Sequence, residues 1–88
     1  MNQVRVTIKF FTSMRDTIGE GEKTLLLPKG SNIDYLLKDL KNQYPQLARN
    51  IDRSFIVLNE EYALKNTLLK EGDTLSIIPP PLSVANEL

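Results

Sequence analysis

Eighty-eight residues, 41% of them apolar and 25% charged, suffice for one domain with a single core, and the composition is that of neither a disordered nor a fibrous chain. Eleven Lys and Arg balance eleven Asp and Glu with no basic run, which argues against nucleic acid as a partner; the absence of cysteine and histidine excludes disulfides, zinc–thiolate sites and thiol or imidazole catalysis. No apolar run exceeds the four residues Phe55 to Leu58, so neither a signal peptide nor a membrane span is expected, and a cytoplasmic protein is the default.

Val4, Val6, Ile8 and Phe10 recur with period two against Arg5, Thr7, Lys9 and Phe11, which predicts a strand with one buried face. Ser13 and Asp16 stand at capping-box spacing and Gly19 follows Ile18, so the link from Phe11 to Gly21 is expected to be partly helical. Lys23 to Leu27 reads as a second strand, broken at Pro28 and turned through Gly30, and a hairpin with the first strand follows. Ser31 as N-cap with Asp34 three residues on, then Ile33, Leu36, Leu37, Leu40 and Tyr44, describe an amphipathic helix ended by Tyr44-Pro45.

A polar link is expected from Gln46 to Ser54, then a buried strand over Phe55-Ile56-Val57-Leu58 and a turn at Asn59-Glu60 into a short stretch around Tyr62-Ala63. Leu68 and Leu69 are expected to cap the core before Glu71-Gly72-Asp73 turns into a last strand, Thr74 to Ile78. Strand, strand, helix, strand, short strand, strand is an α+β order. Its compact solution is a four- or five-stranded mixed sheet grasping one main helix. Pro79-Pro80-Pro81 then halts the last strand, because proline supplies no ladder donor, and residues 81–88 are expected to leave residues 1–80 as an extended tail.

Several features are weighed and set aside. Gly19-Glu20-Gly21 precedes no helix, and Glu20 and Glu22 repel phosphate, so it is not a phosphate loop. Three prolines are short for a polyproline reader, and Asp52, Glu60 and Glu61 sit in polar surroundings where no pocket would raise a pKa. No motif marks a Ser–Lys or carboxylate dyad, so an independent enzyme, a metal site and a cofactor site are not expected.

Phe11 and Ile78 fall on the outer faces of the first and last strands, and two large apolar groups there, beside the tail, suggest a docking patch. Arg15 is a candidate to hold the tail or a partner carboxylate through its planar fork. The charge is uneven along the chain. Met1 to Asn50 carries eight basic and five acidic residues (+3), and Ile51 to Leu88 three and six (−3).

Phe10-Phe11 with Met14-Arg15-Asp16 and Gly19, the helix from Ser31 to Tyr44-Pro45, Leu58-Asn59-Glu60-Glu61, Lys70-Glu71-Gly72-Asp73 and Ile77-Ile78-Pro79-Pro80 together resemble the MoaD/ThiS branch of the ubiquitin-like β-grasp proteins, small carriers of sulfur. Within that branch the paired phenylalanines, the Asn-Glu turn and the Pro-Pro exit look more like the molybdopterin synthase small subunit. The resemblance implies a β-grasp fold, a larger synthase-type subunit as partner and an ATP-dependent activating enzyme. It implies partner binding through Phe11, Arg15, Ile78, Pro79, Pro80, Pro81 and Leu82, and a terminal carboxylate, here that of Leu88, that is adenylated and converted to a thiocarboxylate. Family members end in Gly-Gly, whereas the four glycines of this chain are nowhere adjacent. The alternative is therefore a β-grasp interaction module of the same family that docks its partner without carrying sulfur.

Overall fold

The alternation at the amino terminus becomes β1 (Gln3–Phe10) in the computed structural model, which describes residues 2–80. Val4, Val6, Ile8 and Phe10 are buried, and the residues between them stay partly or fully exposed. A helix α1 (Thr12–Ile18) follows, stopped by Gly19 at φ +90°, whose N–H donates to the Arg15 carbonyl at 2.9 Å. The expected capping box at Ser13 does not form. The helix starts at Thr12 behind an uncapped Phe11, two residues earlier than a Ser13 cap would set it, and Thr12 takes φ +51°, a left-handed value costly for a β-branched side chain.

Strand β2 (Glu22–Pro28) returns antiparallel to β1, with Leu25 opposite Val6 and Leu27 opposite Val4. Helix α2 (Ile33–Gln43) carries the expected stripe, with Ile33, Leu36, Leu37 and Leu40 all buried. Its cap is Asn32 rather than Ser31: Asn32 Oδ1 accepts the Tyr35 N–H at 2.8 Å. The Ser31 hydroxyl is already spent, donating to the Pro28 carbonyl at 2.7 Å inside the preceding turn, where the residue is buried.

The segment expected to be a polar link is instead helical. Pro45–Leu47 forms a 3₁₀ turn that runs into α3 (Ala48–Arg53), and Leu47 and Ile51, four residues apart, are both buried. Proline at the start of the turn supplies the fixed φ and gives up an N–H that would have had no partner.

The remaining strands are β3 (Phe55–Leu58), β4 (Glu61–Tyr62) and β5 (Asp73–Ile78). Strand β3 is not the buried strand expected. Ile56 and Leu58 pack partly against the core, while Phe55 is exposed. Leu68 and Leu69 likewise part company, since neighbours in extended chain point opposite ways: Leu69 is buried and Leu68 exposed. Five strands form one mixed sheet in the order β2-β1-β5-β3-β4, with β1 and β5 parallel at its centre and the other pairs antiparallel.

The inner residues of this sheet, Ile8 opposite Leu75 and Phe10 opposite Ile77, share one core with Met14 of α1, the α2 stripe, and Leu47 and Ile51. Burying each such side chain stabilises by roughly 1.5–3 kcal/mol. No helix among the described residues is long and apolar enough to cross a membrane.

Candidate functional site

The sheet's opposite face holds the residues that alternate with the core. Register places Leu26 beside Arg5, Thr24 beside Thr7, and Glu22 beside Lys9 on the β2 side. Toward the other edge it places Thr74 beside Thr7, Ser76 beside Lys9 and Val57, Ile78 beside Phe55, and Tyr62 beside Val57. None of these residues is buried. The face is divided in character. Apart from Leu26, its β2–β1 half is hydroxyl-bearing and charged, and its β3–β4 half with the end of β5 is apolar and aromatic.

Phe55 and Ile78 are directly paired across β3 and β5, and the Phe55 and Tyr62 rings meet edge to face with centroids 6.3 Å apart. Phe11 continues the extended path of β1 one step past the Phe10–Ile77 pair, so it lies at the same end of the sheet as Ile78. Their exposures are 40% for Phe11, 49% for Phe55, 80% for Tyr62 and 37% for Ile78. Four large apolar side chains left this open on one face form a patch that a folded monomer gains nothing by exposing.

Strand β5 ends where this patch ends, and Pro79 and Pro80 carry the chain onward. They line a cleft of about 460 Å³ with Thr12 and Ser13 of α1 and with Arg49, Asn50 and Arg53 of α3. Arg49 and Arg53 are four residues apart on one helix and so emerge on the same side. Neither forms an ion pair or hydrogen bond among the described residues. The neighbouring acid, Asp52, is engaged elsewhere: the Lys41 ammonium donates to its carboxylate at 2.6 Å and holds it below the usual carboxylate range.

Of the residues singled out in the sequence, Phe11, Ile78, Pro79 and Pro80 come together at one end of the sheet. Arg15 does not line the cleft. Its guanidinium lies against Gly21, where a Cβ would come within 3.3 Å of Arg15 Nε. Pro81, Leu82 and Leu88 lie outside the described residues. Sequence reasoning placed Phe55 in a buried strand and Tyr62 in a short strand without assigning either to the site, and it missed Arg49 and Arg53. The spacing of Leu47 and Ile51 after Pro45 is the signal that would have turned the supposed link into a helix presenting both arginines.

A mixed five-stranded sheet wrapped around one main helix, with its last strand parallel to its first, is the ubiquitin-like β-grasp. Within that class the chain belongs to the ThiS family, whose pattern matches residues 8–81. It is 30% identical over 79 residues to a protein of Arabidopsis thaliana named molybdopterin synthase sulfur carrier subunit, covering 90% of this chain and 82% of that one. A putative molybdopterin converting factor, subunit 1, from Pyrococcus furiosus is 26% identical with a TM-score of 0.81, over 89% of this chain and 99% of the other. In a complex of subunits 1 and 2 of the molybdopterin-converting factor from Helicobacter pylori, one chain matches at 25% identity with a TM-score of 0.65, over 89% and 96%.

Proposed function

We propose that this protein is a small sulfur-carrying subunit of a molybdopterin-synthase-type complex, working in the cytoplasm. It docks a larger subunit through the patch of Phe11, Phe55, Tyr62 and Ile78, and it inserts the segment beyond Pro80 into that subunit. The observation that carries the reading is the coincidence of the two features: the apolar half of an otherwise polar sheet face ends at the strand from which the carboxyl-terminal segment departs. The relatives named as sulfur carriers, and the Helicobacter pylori pair of subunits, support the choice of partner.

The chemistry asked of the chain is small. The carboxylate at the carboxyl terminus attacks the α-phosphorus of ATP bound by an activating enzyme and displaces pyrophosphate; hydrosulfide then attacks the acyl carbon, displaces AMP and leaves a thiocarboxylate. In this scheme the protein's own contribution is binding and delivery. Intact-mass measurement after incubation with ATP, a sulfur donor and the cognate activating enzyme tests it, and oxygen-to-sulfur exchange at the terminal carboxylate is the expected result. A second reading is favoured by one specific feature, the lack of adjacent glycines in the sequence. On that reading the chain docks the larger subunit and transfers no sulfur, so the mass stays unchanged while binding is retained. Phe11→Asp separates both from a purely structural patch: binding is lost with the fold intact if the patch docks, and is unchanged if it does not.

A further inference from the structure

The cleft beside Pro79 and Pro80 is not accounted for by the apolar patch. Among the described residues its walls include two arginines and no carboxylate, so they place about two positive charges in one cleft of a protein whose net charge is zero. The nearest acidic residue on the same helix, Asp52, is taken by Lys41. Arg49 and Arg53, four residues apart, emerge from one side of α3, and the polar residues Thr12, Ser13 and Asn50 line the same cleft. The rest of the lining is the apolar surface of two proline rings. An arginine fork matches a carboxylate in two parallel hydrogen bonds, and proline faces suit the aliphatic part of a peptide.

We propose that this cleft receives an acidic protein segment, two of whose carboxylates pair with Arg49 and Arg53. The segment belongs to the protein that docks on the outer sheet face, because Ile78 of the patch is followed immediately in the chain by Pro79 of the cleft. In this respect the inference rests on the docking proposed above. A nucleic acid is the weaker occupant, since the sequence has no basic run to follow a phosphate backbone and these two arginines stand alone in the lining. The pairing fixes the rotation of the partner about the strand exit. The patch supplies apolar burial but no directional contact, whereas two fork-to-carboxylate contacts at the root of the departing segment set its heading.

The test starts with the full chain alone. A hexaglutamate peptide is titrated into the ¹⁵N-labelled protein at low salt. Shifts are expected at the amides of Thr12, Ser13, Asn50 and Arg53, and at the Arg49 and Arg53 side-chain N–H groups. Arg49→Ala/Arg53→Ala is expected to weaken binding about two- to thirty-fold, as two exposed charge pairs imply. Arg49→Lys/Arg53→Lys keeps the charge but loses the fork, and is expected to fall between. Shifts scattered over other lysines and arginines, equal binding by the double alanine variant, or a short oligonucleotide shifting the same amides as strongly as the peptide would each overturn the proposal. A parallel arm measures binding of the larger subunit. Failure of the wild-type chain to bind it sinks the docking reading, while the peptide titration decides the cleft on its own. If the wild type binds, Arg49→Glu/Arg53→Glu must weaken it and flatten its salt dependence, and unchanged affinity overturns the link between the two surfaces.

Discussion

Asn59 is the residue whose replacement tests most directly how the β3–β4 hairpin is held to the sheet. It occupies the first position of the two-residue turn with φ +50°, followed by Glu60 at φ +73°. Its backbone N–H donates to the Thr74 carbonyl, its side-chain oxygen accepts the Thr74 N–H, and its side-chain nitrogen donates to Asp73 Oδ1, each at 2.9 Å. Asp73 Oδ2 in turn accepts the Lys70 N–H at 2.7 Å, so one amide ties the hairpin to β5 and to the turn before it. Asn59→Ala removes two side-chain hydrogen bonds, about 0.5–1.5 kcal/mol each. It also places a Cβ without a local polar partner in the left-handed region, at about 1 kcal/mol. The expected loss is about 2–4 kcal/mol, or roughly 10–30 °C in Tm for a domain of this size. Asn59→Gly loses the same hydrogen bonds and keeps the backbone comfortable, so its loss is expected to be smaller by about 1 kcal/mol. Urea unfolding followed by far-ultraviolet circular dichroism measures both, provided the slope m is unchanged. Equal midpoints for the two variants would remove the backbone component, and an alanine variant within about 0.5 kcal/mol of wild type would refute the network as a stabilising tie.

Thr12→Gly is expected to raise stability by about 0.5–1 kcal/mol, because it relieves a β-branched residue at φ +51° and the Thr12 hydroxyl bonds only to the Phe11 carbonyl; a lowered urea midpoint would count against strain there. Leu36→Ala, at a position with no exposed surface, is expected to cost about 2–5 kcal/mol, and Leu68→Ala, more than half exposed, to stay within about 0.5 kcal/mol. Comparable losses at the two positions would show that Leu68 belongs to the core after all. Asp52 is held below the usual carboxylate range by the hydrogen bond from Lys41, so its contribution is present above about pH 4 and is lost as pH falls through its depressed folded value. Asp52→Asn is therefore expected to flatten the acid limb of the stability profile slightly, and a steeper limb would reverse the sign of the coupling.

Much of the fold is legible in the sequence because the strongest patterns are long. Eight residues of clean alternation, and an eleven-residue helix with four apolar positions in step, leave one plausible arrangement each. What escaped notice was short or locally diverted. The helix over Ala48–Arg53 has only six residues, of which Ala48 and Ile51 alone are apolar, so its one cue is the spacing of Ile51 from Leu47. Ser31 has the composition of a cap, yet the Pro28 carbonyl three residues upstream takes its hydroxyl, and only the backbone path shows that Asn32 takes over. The apolar run Phe55 to Leu58 was misjudged for another reason. A hydrophobic run signals burial on both faces only if something covers the second face, and coverage is a property of the assembled sheet.

That last error bears on function. A sheet packed on one side by helices is free to be polar on the other, and half of this one is, the single exposed Leu26 apart: Thr7, Lys9, Thr24, Glu22 and Thr74 keep the outer face of β1, β2 and the start of β5 compatible with water. The same solvent and the same backbone geometry apply a few ångströms away, where Phe55, Tyr62, Ile78 and Phe11 stand instead. Strand propensity does not account for the difference, since threonine is also a good strand former and was used next door. Packing among the described residues does not account for it either: it supplies the Phe55–Ile78 pairing and the Phe55–Tyr62 ring contact, the latter about 0.5–1.5 kcal/mol, and still leaves all four side chains exposed. The polar half of the sheet thus serves as a control for the apolar half. The residue choice follows from stability on one side of β5, and on the other it is what the docking proposed above would explain.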